Sequence, residues 1–128
     1  MRRDDAAALP ETLTAGGITR LVTDHLQRQA VSIHYEITLE RLTSVLNDWV
    51  VRGVRQDRDG RRSIASLGWI EYEGGRRLMR VAVSIDDRRI ISAFLDTTAT
   101  EKLISGDMEY FQRNYERLEV RDEPDRAL

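Results

Sequence analysis

A histidine, an arginine and a hydroxyl that could share one site are spread along the chain as His34, Arg80 and Ser92. An imidazole titrates near neutrality, so a histidine can act as general base toward a ribose 2′-hydroxyl. A guanidinium could neutralise the charge that develops on the phosphorane, and a hydroxyl could hold a phosphate oxygen. Arg41, on the first turn of a predicted helix, could reach the same phosphate. The chemistry that these residues predict is metal-independent transesterification of RNA.

Each of these side chains also has an ordinary structural explanation. His34 could be a polar loop residue, and Arg80 could pair with a carboxylate. The second histidine, His25, directly precedes Leu26 on a predicted helix, where a histidine beside an apolar stripe is commonly a half-buried core residue. With Arg28 on the same helix, His25 is a second candidate pair for contacts with a substrate.

Other kinds of chemistry are excluded or poorly supported. Cysteine is absent, which excludes disulfides, thiolate nucleophiles and zinc–cysteine sites. The sequence has no HExxH motif, no glycine-rich phosphate loop and no GxSxG nucleophile motif. We therefore expect neither a metal ion nor a cofactor.

Length and composition predict a single soluble domain. The chain has 128 residues, of which 41% are hydrophobic and 33% charged. A formal net charge of −2 argues against indiscriminate coating of nucleic acid. The basic residues comprise nineteen arginines and one lysine, Lys102. Without cysteine, a signal peptide or a membrane-length apolar run, the chain is expected in the cytoplasm and outside membranes.

The predicted fold class is α+β, with N-terminal helices packed on a four-stranded antiparallel meander and a further helix at the C-terminus. Residues 1–17 are expected to form a flexible leader, residues 18–120 a single α+β domain and residues 121–128 a flexible tail. Helical spacing of apolar residues predicts a first helix over 18–30. A second helix is expected from Thr38, a good N-cap residue, to about Asp48.

Alternating hydrophobicity predicts the four strands that follow. They are expected at residues 49–55, 64–72, 78–85 and 89–95, with turns at 57–60, 74–75 and 86–88. Apolar residues at helical spacing then predict a helix over 107–118; these residues are Met108, Phe111, Tyr115 and Leu118.

The same alternation assigns side chains to the two faces of the sheet. The apolar face, expected to pack on the helices, carries Met79, Val81, Val83, Ile91, Ala93 and Leu95. The opposite face carries Trp69, Arg80, Ser92 and Phe94, with Trp69 directly opposite Arg80. Aromatic rings beside an arginine and a hydroxyl could stack a base and dock its phosphate. Alternatively, the C-terminal helix covers both rings.

Three short segments resemble motifs of one family. They are His34-Tyr35-Glu36-Ile37-Thr38, Arg80-Val81-Ala82-Val83 and Ile91-Ser92-Ala93-Phe94. Together with the order of elements over residues 18–96, they resemble the phage-associated and toxin-type members of the Barnase–EndoU–colicin–RelE superfamily. The resemblance implies a small metal-independent endoribonuclease with His34, Arg80 and Ser92 in the catalytic places. Ser92 and Phe94 stand where that family has threonine and tyrosine.

The alternative is a non-enzymatic interaction module on a related fold, such as an adaptor, immunity or assembly protein. In an enzyme, His34 should converge with Arg80 and Ser92 around an open groove. In an interaction module, these side chains should be dispersed or covered. The partners to consider are RNA, a cognate inhibitor protein and a second copy of the chain.

Overall fold

Four consecutive strands between Val51 and Leu95 form the sheet on which the other elements pack. The structure, a computed structural model, describes residues 9–32, 34, 36–56 and 60–121. Its elements, in chain order, are β1 (Thr12–Ala15), β2 (Ile18–Leu21), α1 (Asp24–Ser32), α2 (Leu39–Asn47), β3 (Val51–Gln56), β4 (Arg62–Tyr72), β5 (Gly75–Ser84), β6 (Ile90–Leu95), α3 (Thr97–Ser105), α4 (Met108–Asn114) and β7 (Glu116–Val120).

The predicted α+β class is confirmed, but the main sheet has five strands instead of four. Its order is β6-β5-β4-β3-β7, and every neighbouring pair is antiparallel. The strands β3 to β6 form the meander that their alternating hydrophobicity predicted. The fifth strand, β7, pairs with β3 from the far end of the described chain, a contact that no local pattern reveals.

Each face of the main sheet is covered by a different part of the chain. The N-terminal face is the side that carries Met79 and Val81, and it packs against α1, α2 and the β1–β2 hairpin. The C-terminal face is the side that carries Leu67, Leu78 and Arg80. Buried residues of α3, α4 and the segment after α4 cover part of this face; they are Ala99, Phe111 and Tyr115. The C-terminal helices therefore close the core of their own chain.

The hairpin that joins β4 to β5 turns one residue earlier than expected. Glu73 and Gly74 both have positive φ, as a two-residue hairpin turn with the right-handed strand twist requires. Tyr72 is therefore opposite Gly75, and Arg80 is opposite Leu67, so the predicted pairing of Arg80 with Trp69 is wrong. The shift amounts to two residues of register, so each side chain keeps its predicted face.

Between β5 and β6 the predicted register is confirmed over most of its length. Met79 is opposite Leu95, and Val81 is opposite Ala93. The register shifts after Ala82, so that Val83 is opposite Ile90 and not Ile91 as predicted. One extra residue in β6 is the signature of a β-bulge.

A strand occupies the start of the predicted first helix. Ile18–Leu21 forms β2, which pairs with β1 across Gly16 and Gly17, both with positive φ. The Gly-Gly pair makes a tight hairpin turn, and this hairpin buries Leu13 and Ala15 of the predicted leader in the core. Helix α1 begins later, where the Thr23 hydroxyl accepts a hydrogen bond from the Leu26 amide at 3.2 Å.

The second helix begins where it was predicted. The Thr38 hydroxyl accepts a hydrogen bond from the Arg41 amide at 3.2 Å, which satisfies one of the free amides of the first turn. Tyr35, the turn residues 57–59, and the leader and tail residues 1–8 and 122–128 lie outside the described residues.

The predicted C-terminal helix begins as expected, with Asp107 as the N-cap of α4, but it ends four residues before Leu118. A separate helix, α3, precedes it and ends at Gly106, which adopts the left-handed conformation. Helix α4 ends at Asn114, and the extended backbone of Tyr115 leads into β7. Leu118 continues the helical spacing by coincidence, because pairing with β3 outweighs local propensity in this segment.

Gly53 provides a test of how β7 reaches the sheet. A Cβ at this position would lie 2.7 Å from Tyr115 Cβ and 3.1 Å from the Glu116 carbonyl oxygen. We expect Gly53→Ala to lower the free energy of unfolding by about 2 kcal/mol through overpacking. Urea denaturation measures the change. Gly75→Ala is the matched control, because a Cβ there meets no atom within 4 Å; equal losses in both variants would contradict the packing explanation.

Candidate functional site

His34 lies after α1 in a polar cluster at the N-terminal face. Its Nδ1 is 3.0 Å from Oε2 of Glu36, a carboxylate that is itself buried. The His34 amide donates to the Gln29 carbonyl at 2.8 Å, and its own carbonyl accepts from the Ile37 amide at 3.0 Å. These contacts tie the segment between α1 and α2 to the core.

Arg41 lies on the same side of the sheet and links α2 to the tip of the β4–β5 hairpin. Its guanidinium donates to the Glu36 carbonyl at 3.0 Å and to the Glu71 carbonyl at 2.9 Å. It also lies over the Tyr72 ring at 5.4 Å. Both bonds end on backbone oxygens, so the predicted phosphate-binding arginine here joins two elements of the fold.

The other predicted pair, His25 and Arg28, lies on the exposed side of α1. The adjacent Leu26 is fully buried, so the helix separates the two sides sharply. The expectation of a half-buried His25 is therefore wrong, since its imidazole faces outward. A histidine one residue before a buried position on a helix lies about 100° away from it.

Arg80 and Ser92 come together on the C-terminal face, as predicted. They project from neighbouring strands, where Ala82 is directly opposite Ser92 and Arg80 is directly opposite Phe94. The Arg80 guanidinium lies over the Phe94 ring at 4.3 Å. Its Nη1 is 3.7 Å from Oδ2 of Asp96, beyond hydrogen-bonding distance.

The Arg80 guanidinium therefore lacks hydrogen-bond acceptors for some of its donors. Its side chain is only 19% exposed, and the buried Nη1 has no hydrogen-bond partner. The neighbouring carboxylate of Asp96 serves two partners. Its Oδ1 accepts from the Ala99 amide at 3.0 Å and caps α3, while its Oδ2 forms the long ion pair with Arg80. A buried donor without an acceptor normally carries a free-energy cost, so this nitrogen calls for an explanation.

An open pocket of about 340 Å³ lies beside Arg80, on the part of the C-terminal face that α3 and α4 leave uncovered. Polar side chains from four strands surround it, above a floor of alanine and isoleucine. The lining residues are Arg55, Gln56, Ser63, Ala65, Arg80, Ala82, Ile91 and Ser92.

Arg55 and Ser63 were not predicted as site residues, although the sequence carries a signal for them. They are directly opposite one another on β3 and β4. Continuing the alternation from Arg80 and Ser92 across the sheet places both on the C-terminal face. The sequence alone does not determine the registers between β3, β4 and β5, because each register depends on the position of the turn that joins the strands.

Tyr115 forms the side of the site next to Arg55. The Arg55 guanidinium lies 5.1 Å from the centre of its ring, and the buried phenol oxygen has no hydrogen-bond partner among the described residues. Burial raises the pKa of the Tyr115 phenol well above its ordinary value, and the nearby Arg55 guanidinium opposes this only in part.

The predicted stacking rings each lie against an arginine. Phe94 is covered by Arg80, and Trp69 lies under Arg76 at 4.7 Å. Trp69 also lines a separate groove of about 560 Å³, beside Leu103 and Met108 of α3 and α4. The C-terminal helices therefore pack beside Trp69, one of the two rings that the alternative expected them to cover, whereas Phe94 lies against Arg80.

The structure brings the predicted residues together in two groups that the main sheet separates. His34 and Arg41 contact the N-terminal layer, whereas Arg80, Ser92, Trp69 and Phe94 lie on the C-terminal face. Neither histidine lines the pocket beside Arg80. The described residues contain no group of three or more acidic or histidine side chains that could hold a metal ion.

Comparisons of the chain with protein-family models, with curated proteins and with solved structures find no match. Among the helices in the described part of the chain, none has the length and apolar character needed to cross a membrane. The function proposed for the chain therefore rests on its own residues and their geometry.

The buried phenol of Tyr115 predicts a loss of stability at alkaline pH. The folded state keeps this phenol neutral after the unfolded chain has begun to ionise it, above about pH 10. Its contribution to stability is therefore complete below that pH and decreases as the pH rises. We expect the free energy of unfolding to fall by about 1.4 kcal/mol per pH unit more steeply in the wild type than in Tyr115→Phe. Urea denaturation between neutral and alkaline pH measures both slopes, and parallel slopes would contradict the assignment.

Proposed function

We propose that the chain is a non-enzymatic interaction module that binds its partner through the pocket beside Arg80. The observation that carries this proposal is the separation of His34 from Arg80 and Ser92 by the main sheet. Transesterification needs a general base within reach of the same phosphate that the arginine neutralises. A pocket that holds arginines and hydroxyls without a histidine is suited to binding an anion and not to breaking its bonds.

The energetics of Arg80 support a binding role. A guanidinium with one buried nitrogen that makes no hydrogen bond lowers the stability of the folded protein, and the ion pair with Asp96 at 3.7 Å compensates for this only in part. Residues that are kept at such a cost are commonly found at sites of function, where proteins give up stability. By contrast, Arg41 has backbone acceptors for two of its nitrogens and contributes to the fold.

The endoribonuclease prediction has a direct test in total cellular RNA incubated with purified protein in EDTA. We expect the RNA to stay intact with the wild type, with Arg80→Gln and with His34→Ala. Gel electrophoresis and a cyclic-phosphate assay detect any product. Cleavage that survives chelation and disappears in both variants would falsify the proposed function and restore the nuclease.

A comparison of two arginine substitutions tests whether Arg80 is kept for binding. We expect Arg80→Met to lower the free energy of unfolding by less than about 1 kcal/mol. The loss of the long 3.7 Å ion pair with Asp96 is offset because the variant no longer buries a nitrogen without a hydrogen bond and keeps an apolar contact with Phe94. Arg41→Met is the matched control, with an expected loss of about 2 kcal/mol for its two hydrogen bonds. Urea denaturation measures both. Equal losses would make Arg80 a structural residue.

A further inference from the structure

We infer that the pocket beside Arg80 binds a carboxylate side chain from an acidic segment of a protein partner. The inference deepens the proposed function and rests on it. Two guanidiniums, those of Arg55 and Arg80, line the pocket. Asp96 is the acidic group next to Arg80, and one of its two oxygens is already engaged in capping α3. The pocket therefore holds an excess of positive charge, which an incoming carboxylate would neutralise.

The two guanidiniums are held in place before any partner arrives. Arg80 lies over the Phe94 ring at 4.3 Å, and Arg55 lies over the Tyr115 ring at 5.1 Å. Contact with a ring restricts the motion of both groups while leaving nitrogen donors available for an anion. A planar fork of this kind matches the two oxygens of a carboxylate, and less side-chain entropy is lost on binding.

The remaining lining suits an acidic side chain. Ser63 of β4 and Ser92 of β6 also line the pocket, and their hydroxyls can donate further hydrogen bonds to an oxyanion. Ala65, Ala82 and Ile91 supply apolar surface for the methylene groups that precede the carboxylate. A volume of about 340 Å³ lies at the small end of ligand pockets and can accommodate an acidic side chain.

A protein partner is favoured over RNA by the environment of the aromatic rings. Recognition of single-stranded RNA relies on rings that are open to stack bases. Arg80 covers Phe94, and Arg76 lies over Trp69, so the two rings predicted as a stacking platform are already in contact with guanidiniums.

The test is a titration of the full, isotope-labelled chain with an acetylated, amidated oligoglutamate peptide, followed by NMR. We expect saturable shifts of the Arg55 and Arg80 side-chain Nε–H signals and of the Ser63 and Ser92 amides. Arg80→Gln and Arg55→Gln should each weaken binding about tenfold, as the loss of a charge-assisted pair predicts. The matched control is Arg113→Gln, which removes the same charge from an exposed arginine of α4 and should change affinity by less than about twofold.

Two further binding measurements distinguish the ways in which the inference and the proposed function could each be wrong. An oligoglutamine peptide of the same length should not bind, and a short single-stranded RNA should bind more weakly than oligoglutamate. Equal effects of Arg80→Gln and Arg113→Gln would reduce the interaction to general electrostatics and overturn the inference. Preferential binding of RNA without cleavage would also overturn it while leaving the interaction module intact, whereas RNA cleavage in EDTA would overturn the proposed function itself.

Discussion

The burial of both faces of one antiparallel sheet is the constraint on which this structure depends. Side chains alternate along each strand, so each residue of the meander points toward one of the two faces of the sheet. Met79 and Val81 belong to the N-terminal core, and Leu67 and Leu78 to the C-terminal core. Because the sheet cannot be crossed by a side chain, this alternation also decides which polar groups can meet. It brings Arg80 and Ser92 together on one face, while the segment that carries His34 packs with the helices on the other.

The elements that pack on the two faces of the sheet cover them to different extents, and this difference creates the pocket. Two nine-residue helices and a hairpin lie over the N-terminal face, whereas the nine-residue α3 and the seven-residue α4 cover the C-terminal face only around Phe111. Close approach of the β7 segment at Gly53 extends the sheet on one side and fixes Tyr115 beside Arg55. What is left between Arg55 and Ser92 is an open, polar surface with an apolar floor. The candidate site is thus the part of the sheet for which the chain provides no cover.

The excess of arginine over lysine has a structural counterpart in the pairing of guanidiniums with aromatic rings. Distances from guanidinium to ring centre run from 3.7 to 5.9 Å for Arg41 and Arg77 with Tyr72, Arg52 and Arg121 with Trp49, Arg55 with Tyr115, Arg76 with Trp69, and Arg80 with Phe94. A planar guanidinium covers an aromatic face and keeps donors at its edge, which an ammonium group does less well. In this protein, arginine both shields rings from water and, at Arg80, presents a charge to a pocket.

Much of the fold could be predicted from the sequence because it follows from local patterns. The alternation over β3 to β6, the Thr38 cap and the shared face of Arg80 and Ser92 are all properties of neighbouring residues. The errors lie where a distant contact overrides the local pattern. Ile18–Leu21 has helical spacing but pairs with β1 across a Gly-Gly turn, and Leu118 fits a helix but pairs in β7. Only the tertiary structure could decide that His34 and Arg80 lie on opposite sides of the sheet, because the face on which a loop packs depends on how the whole chain folds back and not on the residues within it.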